Sequence, residues 1–255
     1  MECLAFADDL ALIAENKEDA QKMVEKLHEI AEMAGLKILY EKTEYIEHRH
    51  DGEKHMKTKY GKIKRVDKFK YLGEWIQPNG LDKEAIKARA RKMELAYRLT
   101  QKRYNKTAIS YKAKLRHYTT VVKTEAVYSS ECLILNKKME IEKLEKKERK
   151  ILRKILGPAK GKGHFWWKRK NEDLFKHTEK ITDTIRKRRL KFYGHLARMS
   201  ESRLTKRIFN YIIKLKTTSK WVEEAHKDME EIGILTKDIL NRRMFHPKIE
   251  KFKGF

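Results

Sequence analysis

Cysteine is nearly missing from this sequence: Cys3 and Cys132 are the only two in 255 residues. That excludes a disulfide framework and a zinc site built from several thiolates, and it fits a reducing, intracellular compartment. Proline occurs three times, which agrees with a helical body. No stretch approaches the roughly 18 uncharged apolar residues that a membrane span requires. The first residues also lack the basic-then-apolar order of a signal peptide, so a soluble protein with no membrane partner is expected. Neither an internal repeat of fixed period nor a low-complexity linker is present.

Acidic charge is also in short supply. The chain carries 62 Lys/Arg against 37 Asp/Glu, a formal charge of +25 and a pI of about 9.8. A field of that size attracts a polyanion, and nucleic acid is the default partner. The excess is unevenly placed: residues 1–80 hold 14 Lys/Arg and 16 Asp/Glu, whereas the remaining 175 hold 48 and 21. The two parts are therefore expected to do different jobs.

The segment Leu4–Ile13 is two short apolar runs separated by Asp8 and Asp9, the pattern of a buried hairpin with an acidic turn. Asn16 then stands where an N-cap would, Glu18 and Asp19 fall in a first turn, and Ala20, Met23, Val24, Leu27, Ile30, Ala31 and Ala34 recur at helical spacing up to Gly35. Leu36–Ile46 and Lys57–Ile76 read as short strands, with Asp51-Gly52 as a turn between them and Pro78-Asn79-Gly80 as the end of the unit. Beyond Gly80, Ile86, Ala90, Met93, Tyr97 and Tyr104 recur every three or four residues. Further helices are expected over Ser110–Val127, Met139–Leu156, Thr178–Met199 and Thr205–Lys216, interrupted at Gly157–Gly163 with Pro158. The stretch after Trp221 carries little pattern. The fold class expected is α+β and predominantly helical: a small mixed β-α-β unit over 1–80, a helical region over 81–157 and a basic helical extension over 158–255.

Two adjacent carboxylates on a tight turn are costly unless a cation compensates them, because neighbouring like charges resist joint ionisation; Mg²⁺ would supply that compensation. At the other extreme of charge, Lys160–Arg198 holds thirteen Lys/Arg and four Asp/Glu, interleaved with Phe165, Trp166, Trp167, Phe192 and Tyr193, which could stack on bases. Core packing competes with stacking for each aromatic; helical register favours the core for Phe192, while Trp166 and Trp167 divide evenly. Arg186-Lys187-Arg188-Arg189 is open to three readings, namely phosphate contacts, a nuclear-import signal or a solvated helix face, and the surrounding field ranks phosphate contact first. His48, His50, Asp51 and His55 lie in a charged stretch with a turn signal, which favours a surface loop over a metal site; His195 reads as structural.

Phe6-Ala7-Asp8-Asp9, within strand-turn-strand and followed by an amphipathic helix, resembles the aromatic-x-Asp-Asp box of reverse transcriptases, with Phe6 where Tyr is commoner. Gly35-Leu36-Lys37-Ile38 and Glu41-Lys42-Thr43-Glu44-Tyr45 resemble the next palm motif of the polymerases of non-LTR retrotransposons. Phe69-Lys70-Tyr71-Leu72-Gly73-Glu74-Trp75-Ile76 is similar to the hairpin that grips the primer end in the same enzymes. The likeness continues through Tyr128–Glu131, Lys147–Pro158 and Arg188–Met199, so that matching stretches span most of residues 3–199 in the family's order.

This resemblance implies Mg²⁺-dependent nucleotidyl transfer with an RNA template and a DNA primer. Asp8 and Asp9 would be metal ligands, Asp8 the direct one, and Lys42 the acid for the leaving pyrophosphate. Tyr71, Leu72 and Gly73 would grip the primer. The basic face of the helical part, represented by Arg89, Arg91, Lys92, Arg149, Lys150, Arg153, Arg186, Arg188 and Arg189, would bind nucleic acid in a nuclear setting. The family's palm also uses an earlier strand with another aspartate, and fingers that hold template and nucleotide. This chain begins just before the Asp-Asp box, so a missing N-terminal polymerase half and no polymerase activity from this chain alone are expected. The alternative is a non-catalytic nucleic-acid-binding protein derived from such an element.

Overall fold

The computed structural model describes residues 3–47, 53–77, 83–135, 138–160, 166–214 and 219–250. His48, His50, the Asp51-Gly52 turn, Pro78-Asn79-Gly80, Phe165 and the Gly161–Gly163 end of the predicted break lie outside them. The chain is α+β and predominantly helical, about 60% helix with a few small sheets. It divides into two compact units, Met1–Leu81 and Asp82–Phe255.

The first unit opens with the expected hairpin, β1 (Cys3–Phe6) against antiparallel β2 (Asp9–Leu12). Helix α1 (Lys17–Met33) starts where the sequence places it: the Asn16 side chain accepts from Asp19 N–H at 2.8 Å, and Glu18 and Asp19 favour the positive end of the helix dipole. It stops at Gly35, whose φ of +71° lets Leu36 N–H turn back onto Ala31 O at 2.8 Å.

The strand expected over Leu36–Ile46 shrinks to β3 (Glu44–Tyr45), because Thr43 closes a turn through N–H and Oγ1 on Leu39 O. The run Lys57–Ile76 is likewise cut into pieces, β5 (Lys62–Arg65), β6 (Phe69–Tyr71) and β7 (Glu74–Ile76), with β4 (His55–Lys57) preceding them. Strand β5 lies centrally, parallel to β3 and antiparallel to β4. The core of this unit is small: Val24, Met56 and Ile63, lined by Leu12, Ala20, Tyr40 and Tyr45.

The second unit is a helical assembly. Helix α2 (Lys83–Tyr104) buries Ile86, Met93, Tyr97 and Tyr104 at the spacing read from the sequence, and packs on α4 (Lys123–Val127) and α5 (Lys138–Leu156). The predicted helix Ser110–Val127 is continuous but not uniform. Ser110 caps α3 (Tyr111–His117), a π-helical turn spans Tyr118–Val122, and α4 follows. A short 3₁₀ turn covers Ser130–Cys132. Helix α5 ends at Gly157, and its neighbours are the ribbon β8 (Ala159–Lys160) with β9 (Trp166–Trp167), then α6 (Asn171–Phe175) and α7 (Ile181–Ala197).

Helices α5 and α7 pack on each other, so the regions on either side of the Gly157-Pro158 break share one compact unit. Helix α7 is the spine of that unit. It touches α4, α5, α8 (Leu204–Lys214), α9 (Lys220–Glu231), α10 (Thr236–Leu240) and α11 (Arg242–Glu250). An apolar cluster lies along its second half, joining Leu190, Tyr193 and Leu196 to Phe209, Val222, Met229, Ile239 and Phe245. Among the described residues no helix is long and apolar enough to cross a membrane.

Candidate nucleic-acid interface

The acidic turn is a two-residue loop, Ala7-Asp8, with Phe6 paired to Asp9 across the hairpin. Ala7 adopts a left-handed φ of +52°, which tightens the loop and holds Asp8 at its tip. Both carboxylates are exposed, and so is the hairpin that the sequence suggested would be buried: Phe6, Leu10 and Ile13 are open to solvent. Adjacent carboxylates are hard oxygen donors of the kind Mg²⁺ accepts. Among the described residues, however, no group of three or more His, Cys, Asp or Glu could hold a metal ion. Lys42 is exposed on the turn between α1 and β3, its own N–H bonded to Leu39 O.

The hairpin β6–β7 pairs Tyr71 with Glu74, leaving Leu72-Gly73 as a two-residue loop with φ of +48° and +89°. Positive φ at both central residues is the geometry that follows the natural twist of a hairpin, and a non-glycine residue bears some strain there. Leu72 is exposed at the tip, and Lys68 sits 5.3 Å from the Trp75 ring centre.

The basic residues named from the sequence separate into two groups. Arg89 is buried and donates to the carbonyls of Ala126, Tyr128 and Ser129, which closes the end of α4. Arg189 is fully buried, its Nε and Nη2 on Asp228 Oδ2 at 2.9 and 2.7 Å and its Nη1 on Leu133 O. Arg186 pairs with Asp228 and Glu231, and Arg188 donates to Val127 O. Arg186-Lys187-Arg188-Arg189, for which phosphate contact ranked first, thus all bond carboxylates or carbonyls of the protein itself. Helix α7 is covered on most sides, so its cations are spent on carboxylates and helix-end carbonyls within the fold. Lys187 is buried too, bonded to Glu179 and to Glu250 O. Arg149 pairs with Glu145 and Arg153 donates to Asn171 and Arg169 O, whereas Arg91 and Lys150 are exposed and Lys92 is half-buried. His195 is exposed, Phe192 is half-buried against Trp221, and Trp166 and Trp167 are exposed.

What the charge count did not reveal is a groove between α2 and α5. It measures about 220 Å³ and is lined by Glu94, Tyr97, Arg98, Gln101, Lys147, Lys150, Ile151 and Lys154. Four cations meet one carboxylate there. Lys147 and Arg98 both bond Glu94 and hold its carboxyl below the usual range, with Lys147 the stronger influence, and Lys154 lies 5.7 Å from the Tyr97 ring centre. Tyr97 and Ile151 form the apolar floor. The signal was present in the sequence: Lys143, Lys147, Lys150 and Lys154 recur at four- and three-residue spacing, which places them along one stripe of α5.

Compared with known proteins, the chain matches no protein-family model and no solved structure. A curated protein of Caenorhabditis elegans, described as an uncharacterized transposon-derived protein, is 24% identical over 245 residues, which cover 89% of this chain and 84% of that protein. The likeness thus runs through both compact units.

Proposed function

We propose that this chain is transposon-derived and is the carboxy-terminal part of a non-LTR reverse transcriptase, whose helical unit holds an RNA–DNA template–primer. Its catalytic aspartates require a polymerase half outside this sequence. Support for the origin comes from the transposon-derived relative. Support for the enzyme class comes from the order of the family-like motifs between residues 3 and 199. The observation that carries the binding function is the α2/α5 groove, in which Arg98, Lys147, Lys150 and Lys154 face one carboxylate. Phosphate contacts of this kind give affinity that falls steeply with salt.

Fluorescence anisotropy with an RNA–DNA hybrid, titrated at several salt concentrations, tests it. Replacing Lys150 and Lys154 together by Glu should weaken binding and flatten the salt dependence by about two ion equivalents. Unchanged affinity and slope would sink the binding role of the groove.

The second reading, non-catalytic binding of nucleic acid, rests on the α2/α5 groove, which uses neither Asp8 nor Asp9. Primer extension with Mg²⁺ separates the two readings. Extension that disappears in both Asp8→Ala and Asp9→Ala would establish a polymerase; its absence in the wild-type chain, restored by adding the upstream half, would establish a complementing fragment. Absence under both conditions leaves the binding function alone.

A further inference from the structure

The ribbon β8–β9 sets Ala159 against Trp167 and Lys160 against Trp166. Both indoles stay open to solvent, 65% for Trp166 and 64% for Trp167. Folding normally covers most of such a large ring, as it does for Trp221, which packs on Phe192 and Tyr193 and donates its N–H to Glu131 O.

The two open rings do not belong to a loose tether. Arg153 holds the residues just past β9, its Nε on Arg169 O at 3.3 Å and its Nη2 on Asn171 Oδ1 at 2.6 Å. Arg169 in turn reaches back to the start of the ribbon, donating to Gly157 O at 2.9 Å, and its guanidinium lies 5.7 Å from the Tyr111 ring centre. Both ends of the ribbon are thereby fastened to the end of α5 and to α3.

Successive residues of a strand point to opposite faces, so Trp166 and Trp167 offer separate ring surfaces and would engage different partners. The chemistry next to them is cationic: Lys168 and Lys170 follow directly and are exposed. Of the acids that come next, Asp173 is neutralised by Lys176 at 2.9 Å, which leaves Glu172. Flat aromatic surface beside positive charge matches a chain of unpaired bases joined by phosphates, since every base has a face to stack and the attraction to phosphate is independent of sequence.

We propose that the β8–β9 ribbon is a stacking platform for single-stranded nucleic acid, in which Trp166 and Trp167 each hold one base while Lys168 and Lys170 face the backbone. The proposal rests on the nucleic-acid reading above and adds a second mode, because it concerns unpaired strands and uses none of the α2/α5 groove residues.

The test uses the full chain with oligothymidylate, oligouridylate and a blunt RNA–DNA hybrid, followed by anisotropy and by quenching of tryptophan emission. Trp166→Ala and Trp167→Ala should each weaken binding of both single strands on the order of tenfold, with little change for the hybrid. The double variant should lose most of the quenching, since the tryptophans that remain, Trp75 and Trp221, are not part of the ribbon. Trp→Phe at both positions should restore single-strand binding and Trp→Leu should not, which separates an aromatic face from mere apolar bulk; circular dichroism checks that the fold is kept. If the double alanine variant binds single strands as tightly as wild type while Lys150→Glu/Lys154→Glu weakens the hybrid, the platform is overturned and the groove stands. If the wild-type chain binds neither kind of nucleic acid, both proposals fall.

Discussion

Arg189 and Asp228 show what a residue's charge does once it is out of water. Taking both ions into the interior costs several kcal/mol each, and their mutual attraction recovers this only with good geometry and full hydrogen bonding. Here three guanidinium nitrogens have partners, and Asp228 is shared with Arg186. Asp228→Ala should therefore destabilise the protein by about 3–5 kcal/mol in urea titration, because it strands Arg189. Arg189→Met combined with Asp228→Leu should recover most of that loss, and a double variant as unstable as the single would contradict the account. Gly194 is constrained differently. A Cβ there would lie 2.3 Å from Phe245 Cε1 and 2.8 Å from Arg198 Nη1, and Phe245 is fully buried. Gly194→Ala should cost about 1–3 kcal/mol through overpacking, read from the same urea midpoints; an unchanged midpoint would show that the Phe245 ring can yield.

At the scale of elements, the start of α7 has no side-chain cap of its own, since Lys180 occupies the N-cap position. Helix α5 supplies one from outside. Glu148 accepts from Ile181 N–H at 2.9 Å and from the Tyr118 hydroxyl at 2.8 Å, and Glu145 accepts from Thr182 Oγ1 at 3.0 Å. Burial pushes the Glu148 carboxyl up to about 7, against the pull of Lys123, whose Nζ is 4.0 Å away. Burial also lowers Lys123 and raises Asp183. A carboxyl raised above its unfolded value binds its proton more tightly in the native state. Its contribution to stability is thus complete below about pH 4.5 and is lost as pH climbs through about 7. Between pH 5 and 8 the wild-type protein should lose on the order of 2 kcal/mol from this group. Glu148→Gln should flatten most of that slope, with Asp183 accounting for a remainder of the same sign. Parallel urea curves for both proteins across this range would refute the assignment.

At the scale of the molecule, the two units differ in how much they bury. The core of Asp82–Phe255 runs through α2, α4, α5, α7 and the last helices, whereas among the described residues the core of Met1–Leu81 has three buried apolar residues and leaves Phe6, Leu10, Met33 and Leu36 in solvent. A fragment of residues 82–255 should therefore unfold cooperatively at a temperature close to the main transition of the whole chain. A fragment of 1–81 should show no comparable transition by calorimetry. A non-cooperative 82–255 would mean that its core needs the first unit.

The parts that sequence made legible are those governed by neighbours in the chain. Asn16 and Gly35 bound α1 because capping and left-handed φ are local, and the registers of α2 and α5 follow from apolar residues every three or four positions. Leu36–Ile46 misled because Thr43 bonds back to Leu39, a local turn with no apolar signature. At the end of the chain, α10 and α11 are only 5 and 9 residues long and show little period, whereas α9 does carry one in Val222, Ala225 and Met229, which the sequence reading passed over; these residues pack with Ile239 and Phe245 beside α7.

By itself, the sequence determined the helical character, the acidic turn at Asp8 and Asp9 and an excess of positive charge. Only the tertiary structure decided which of those charges meet solvent. Arg189 and Asp228 are 39 residues apart and become a buried pair when α9 packs on α7, while Lys150 and Lys154 stay open because α2 leaves a groove beside α5. Periodicity is a property of neighbours along the chain, whereas the exposure of a cation depends on what folding brings against it.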